Sequence, residues 1–262
     1  MIYTAWCIFA FGLTFILMLP FVLLGSWLAS NKSEFGLRLA HGAIRWWGYL
    51  AFPLVGMPIR VDWRFRPDPK RAYVYCANHF SYLDIAVLGV IIPGLYAFIG
   101  KIGVRKIPLF GYMFAKLHVM VDRSSAESRA YSLTKCIRTL ASGRSIIIFP
   151  EGGIKAELKP DGSPPTMVYP FKDGAFTMAV QQQVSIVPVT LLNNYRIVPD
   201  TKPFRVHWEP VRIVVHEPIP TTGLTQADTN ELRERTYRVI EQSLVIGHRS
   251  LVVAKSNPMT ND

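Results

Sequence analysis

Charge is missing from the start of this chain: no Asp, Glu, Lys or Arg precedes Lys32. A secretory leader opens on a charged stretch and ends at a small-residue cleavage site, and the segment shows neither pattern. Cysteine is scarce as well. The three cysteines, Cys7, Cys76 and Cys136, are odd in number and widely spaced, which argues against a disulfide framework or a zinc-ligand spacing. They read as small buried hydrophobes in a reducing compartment. Acidic residues are few, 18 against 29 basic, giving a formal net charge of +11. That balance suits nucleic acid, an anionic membrane surface or an anionic ligand. No basic run carries interleaved aromatics, so no nucleic-acid partner is expected. Internal repeats and low-complexity tracts are absent from the sequence.

Hydrophobicity is what the chain has in quantity, at 50% of all residues. Ile2 to Ala29 is almost wholly apolar and long enough to cross a hydrocarbon core of roughly 30 Å. Basic residues follow at Lys32, Arg38, Arg45 and Arg60, so the positive-inside tendency puts the rest of the chain in the cytoplasm. A second apolar stretch, Leu37 to Val55, contains Trp46, Trp47 and Tyr49 but is interrupted by Arg38, His41 and Arg45. An interfacial helix or the return leg of a shallow hairpin is expected there rather than a second span, with an ordinary buried helix as the alternative.

From about Pro58 short β-rich runs alternate with helical stretches. Strands are expected at Ile59–Trp63, Ala72–Cys76, Tyr96–Gly100, His118–Val121, Ser145–Phe149, Ser185–Leu191, Arg205–Trp208 and Val211–His216. Helices are expected at Tyr82–Val90, Leu109–Leu117, Ser125–Ser142, Gly174–Gln182 and Thr229–His248. The expected fold class is α/β: a mixed sheet flanked by helices, preceded by an N-terminal membrane-anchoring helix or helical hairpin. The division falls at residues 1–57 and 58–256. Residues 155–170, rich in proline and polar side chains after a strand, form a candidate active-site lid.

Four segments carry chemistry. Asn78-His79-Phe80-Ser81-Tyr82-Leu83-Asp84 follows a strand and opens a helix. Catalytic groups in α/β folds gather at such strand ends. Histidine is suited to take a proton from an alcohol near neutral pH, and a carboxylate can fix its tautomer. His79 and Asp84 are five apart, so His79 must sit in the turn before the helix. Alternatively, Asp84 merely caps the helix. Phe149-Pro150-Glu151-Gly152-Gly153 ends an apolar strand, and its glycines let backbone approach a ligand. It also reads as a plain strand-ending turn. Lys101 with Arg105 and Lys106, and Asp122 with Arg123, offer cations for a phosphate or simply solvated charges. The remaining histidines, His41, His118, His207, His216 and His248, have no partner pattern and read as structural or exposed. No metal-ligand cluster is visible, so no metal is expected.

Taken together and in this order, the blocks resemble the glycerolipid acyltransferase family, over roughly residues 59–217. Asn78-His79 with Asp84 matches its N-H-x-x-x-x-D signature. Lys101 and Lys106-Ile107-Pro108-Leu109-Phe110-Gly111 match its second region. Val121-Asp122-Arg123, Phe149-Pro150-Glu151-Gly152 and Val187-Pro188-Val189 match the blocks that follow. The resemblance implies an acyltransferase moving a fatty acyl group from acyl-CoA or acyl carrier protein to lysophosphatidic acid in phospholipid biosynthesis. It implies His79 as general base and Asp84 as its orienting carboxylate. Asn78, Lys101, Arg105, Arg123, Glu151, Gly152, Gly153 and Lys155 are the implied substrate ligands. No cofactor is implied beyond the thioester co-substrate. The implied partners are membrane lipids and the acyl donor, and the implied place is the membrane, the inner one in a bacterium. Two positions depart from the pattern. Gly153 and Ile154 stand where the family often has Thr-Arg, and Gly103 stands where many relatives carry Glu. The acceptor phosphate then falls to Lys155, Lys172, Arg105 or Arg123, or the acceptor is a different lysolipid or aminolipid. A non-catalytic lipid-binding protein and a thioesterase are the competing readings.

Overall fold

The chain opens as a helical hairpin, α1 (Ile2–Ser30) and α2 (Glu34–Leu54). Ser33 caps α2, its hydroxyl accepting the Gly36 N–H at 3.2 Å. The two helices touch through glycines: a Cβ at Gly25 would lie 2.6 Å from the Ala40 nitrogen, and one at Gly36 2.5 Å from the Ala29 nitrogen. Of the described helices, α1 alone is long and apolar enough to cross a membrane. Its outward side carries Ile8, Phe9, Ile16, Leu17 and Trp27, all more than half exposed, while Cys7, Ala10 and Val22 on the other side are buried. A soluble surface seldom leaves so much contiguous apolar area in water. The structure, a computed structural model, describes residues 1–31, 33–122, 125–154, 157 and 159–256, with side chains through 248.

The remaining elements follow as β1 (Ile59–Trp63), β2 (Val74–Ala77), α3 (Leu83–Ile91), β3 (Tyr96–Lys101), α4 (Phe110–Leu117), β4 (Val119–Val121), α5 (Ala126–Ala141), β5 (Ser145–Ile148), α6 (Gly174–Gln182), β6 (Ile186–Leu191), α7 (Asn194–Ile197), β7 (Val211–Val215) and α8 (Thr229–Ser256). The sheet runs β1-β7-β6-β2-β5-β3-β4. All neighbours are parallel except β6 and β7, so the sheet is mixed, as the alternation of runs implied. Strands β2 and β6 are buried at every position, which is why Ile186 to Leu191 is apolar at all positions but Thr190 rather than alternating.

Alternate residues divide the core. Tyr73, Tyr75 and Ala77 face the α1–α3 side together with Phe98 and Ile147. Val74 and Cys76 face the α5, α6 and α8 side with Ala97 and Ile146. Position 79 therefore continues the set that points toward the apolar hairpin. The expected strand at Arg205–Trp208 does not form. Its hydrogen bonds leave the sheet: Val206 N–H goes to Thr4 Oγ1 on α1 at 3.1 Å and His207 N–H to the Ile197 carbonyl at 2.8 Å. The segment straps the start of α1 to the end of α7. Aromatic and β-branched residues gave it a strand signature, while β1 and β7 had already taken each other as partners.

Candidate active site

Five parallel strands, β6, β2, β5, β3 and β4, end on one edge of the sheet, where an open α/β fold gathers its functional groups. At the end of β2, Asn78 turns inward. Its amide Nδ2 donates to the Leu191 carbonyl at 3.1 Å and its Oδ1 accepts the Leu191 N–H at 2.8 Å. The side chain thus extends the ladder to β6 by one rung, and it is fully buried. Asn78, expected among the substrate ligands, here directs both polar ends of its amide to the Leu191 backbone.

The next three residues wrap around one carboxylate. Asp84 Oδ2 accepts the N–H groups of Phe80 and Ser81, each at 2.9 Å, and lies 3.0 Å from His79 Nδ1. Its Oδ1 accepts from Asn194 Nδ2 at 2.8 Å. The carboxylate is entirely buried, and four donors supply what water would otherwise give it. Asp84, in the first turn of α3, therefore gathers the backbone that leads into the helix and holds the imidazole at once. With Nδ1–H directed at Asp84, Nε2 carries the lone pair. Among the described residues Nε2 has no hydrogen-bond partner. The ring is stacked on Phe149 with centroids 3.9 Å apart and planes 14° from parallel, which leaves it little freedom to turn.

The turn that follows β5 supplies both Phe149 and Glu151. Glu151 Oε1 accepts the His79 N–H at 2.7 Å and Oε2 accepts the Val168 N–H at 2.9 Å. The side chain is buried, so burial pushes its carboxyl up to about 7, against the opposing pull of those two N–H groups. Expected among the substrate ligands, Glu151 here directs both oxygens to protein backbone, one of them to that of His79. Gly152 has φ of +87°, a left-handed conformation in which a side chain would be strained, and the turn closes through Gly152 N–H to the Phe149 carbonyl at 3.0 Å. Gly153 follows in the same turn with open space around it. Ser81 is no nucleophile. It is fully buried, and its hydroxyl donates to the Val198 carbonyl at 2.7 Å.

Lys101, Arg105 and Lys106 are exposed at the end of β3 and on the short 3₁₀ turn after it, Ile102–Lys106, on the same edge as His79. Gly103 also lies on that turn, with nothing within 4 Å of a would-be Cβ. Arg123 and Lys155 lie outside the described residues. Beneath this edge an apolar cavity of about 450 Å³ opens between α1, α2, α3, β3 and α4, bounded by Trp47, Tyr82, Val104, Phe110 and Phe114. Its volume falls in the range of small-molecule sites. Tyr82 brings it within three residues of His79. Two contributors were not assigned a role from the sequence. Asn194 reaches Asp84 from 110 positions away, and Phe149 was legible only as the first letter of a block.

A model of the acyltransferase family matches residues 60–192. A 1-acyl-sn-glycerol-3-phosphate acyltransferase of Chlamydomonas reinhardtii is 36% identical over 59% of this chain, which spans 44% of that relative's length. A lyso-ornithine lipid O-acyltransferase of Pseudomonas aeruginosa is 28% identical over 74% of this chain and 76% of its own length. The crystal structure of a 1-acyl-sn-glycerophosphate acyltransferase from Thermotoga maritima superposes with a TM-score of 0.72 at 25% identity, covering 93% of this chain and 95% of the other.

Proposed function

Since the chain belongs to the acyltransferase family, we propose that it transfers a fatty acyl group from a thioester, acyl-CoA or acyl carrier protein, to the free hydroxyl of a membrane lysophospholipid, with lysophosphatidic acid as the acceptor. The observation that carries the reading is the His79–Asp84 pair, 3.0 Å apart, on the edge of the sheet above an apolar cavity. His79 Nε2 takes the acceptor's hydroxyl proton as the oxygen attacks the thioester carbonyl. The tetrahedral adduct collapses, the C–S bond breaks, and the departing thiolate receives the proton from the imidazolium. Asp84 fixes the tautomer at the outset and offsets the positive charge while it lasts. A thiolate leaves readily, so much of the acceleration comes from holding the two reactants together.

In this reading the exposed cations Lys101, Arg105 and Lys106 meet the acceptor phosphate, and the large cavity takes the donor's acyl chain. The apolar outer side of α1 anchors the domain to the bilayer, with the catalytic domain on the cytoplasmic side by the charge rule. A different lysolipid acceptor is the second reading. It is favoured by Gly153 and Ile154 at the places of Thr-Arg and by the likeness to an enzyme named for lyso-ornithine lipid. The purified protein, incubated with labelled oleoyl-CoA or oleoyl–acyl carrier protein and a panel of lysolipids, separates them. Phosphatidic acid as the dominant product supports the first reading, and acylated ornithine lipid the second. Thiol release without any lipid product defeats both.

A further inference from the structure

An acyl transfer between lipids brings two hydrocarbon chains to one histidine: the chain being moved and the chain already on the acceptor. The large cavity has room beside Tyr82 for one of them. On the other side of Tyr82 a second apolar pocket of about 220 Å³ is formed by Cys7, Ile8 and Phe11 of α1 with Leu83, Val198 and Val206. Tyr82 and Ala86 line both cavities. They form a ridge along α3, and Tyr82 is 63% exposed at its crest. Helix α1 crosses over both. Cys7, Ile8 and Phe11 serve the smaller pocket, and Phe15, Met18 and Val22 the larger.

Resting on the acyltransferase reading, we propose that the smaller pocket holds the acceptor's resident acyl chain, and that Tyr82 is the wall separating it from the donor chain in the larger cavity. Three observations favour this occupant. The lining offers no charged side chain, so a phosphate or other ionic group would be buried there unpaired. The cations that suit a head group, Lys101 at the end of β3 and Arg105 and Lys106 on the turn beyond it, are not part of this lining. Finally, Ile8 and Phe204 at its rim are 58% and 49% exposed on the apolar outer surface around α1. A chain that resides in the bilayer before and after reaction can enter and leave sideways through that rim. A donor chain delivered on a thioester has no such need and fits the cavity that runs deeper, from Tyr82 down to Tyr96 and His118.

The test uses the full chain in mixed micelles and two photoprobes. One is a lysophosphatidic acid with a diazirine at the end of its resident chain, the other an acyl-CoA with the diazirine at its acyl terminus. The proposal expects the first probe to label peptides containing Cys7–Phe11 or Val198–Val206, and the second to label Val104–His118. Labelling of Val104–His118 by the lysolipid probe overturns it, and this readout does not depend on turnover. Ile8→Trp and Val206→Trp, each filling the pocket from a different wall, give the kinetic arm. Each should lower the ratio of kcat/KM for oleoyl over hexanoyl lysophosphatidic acid by roughly tenfold, the scale set by a methylene or two lost from an apolar pocket. An unchanged acceptor ratio, or a fall in the long-to-short donor ratio instead, refutes the assignment. If the wild type labels as expected but moves no acyl group to any acceptor, the acyltransferase reading fails while the pocket remains a lysolipid site.

Discussion

Replacing Asp84 by Asn tests whether the carboxylate acts through its charge or only through its shape. The substitution is nearly isosteric, and the surroundings tolerate it. The new amide oxygen can occupy the Oδ2 position and keep the bonds from His79 Nδ1, Phe80 N–H and Ser81 N–H. The new NH2 group then faces Asn194. That residue's Oδ1 accepts no hydrogen bond as it stands, so a half-turn of its amide restores the fourth contact. What is lost is charge. Charge-assisted bonds exceed neutral ones by about 1 kcal/mol each, so with four such contacts the fold should weaken by about 4 kcal/mol and still hold. For the reaction, a protonated imidazole 3.0 Å from a carboxylate gains about 5.5 kcal/mol at an effective dielectric constant near 20. Losing it lowers kcat on the order of ten-thousandfold. The assay is thiol release and lipid product with a fixed acceptor, beside a thermal melt in the same detergent. A melt showing a folded variant with less than a tenfold loss in kcat would refute the argument that the charge matters.

Three further perturbations have signed outcomes. Glu151 has its carboxyl raised from 4.5 to about 7; between those values the folded protein holds a proton the unfolded chain has lost, so stability falls as pH rises through that window and levels off above it. The size is about 3 kcal/mol, and Glu151→Gln should remove the slope, which parallel melts from pH 4.5 to 8 will show; identical slopes contradict it. Gly36→Val forces a side chain against the Ala29 nitrogen and Leu28 Cβ, each 2.5 Å from the new Cβ, and should cost about 1–3 kcal/mol by overpacking the hairpin. Gly42→Ala, with nothing within 4 Å, should be neutral or stabilising by up to about 1 kcal/mol, and equal melting shifts for the pair would count against the hairpin packing. Arg105→Ala should raise KM for a phosphate-bearing acceptor about tenfold, the loss of one modest charge-assisted contact, with little effect on kcat; an unchanged KM removes that cation from the acceptor's site.

Much of the fold could be read because each side of it leaves a periodic trace. Buried strands such as Val74 to Ala77 and Ile186 to Val189 are apolar runs without alternation, and α1 is marked by the absence of any charge. The strap at Arg205–Trp208 misled because composition reports a residue's preference for extended backbone but not whether a sheet edge is free. At the site, His79 and Asp84 were legible as neighbours five apart around a strand end. Their supports were not. Asn194 meets Asp84 only because β6 lies beside β2 in the sheet, a fact of topology. Glu151 sits in a recognisable block, yet only the structure shows its oxygens turned to the His79 and Val168 backbones rather than outward. Asn78 was implied as a ligand by the N-H-x-x-x-x-D match, and only the structure shows its amide turned to Leu191.

The central claim is that one imidazole removes the proton from a lipid alcohol. The direct measurement compares wild type and His79→Ala, both shown by melting to be folded and by flotation to be vesicle-bound, with labelled oleoyl-CoA and lysophosphatidic acid, products identified by mass spectrometry. The account predicts phosphatidic acid from the wild type and none above background from the variant. Product from His79→Ala within tenfold of the wild-type rate would contradict it.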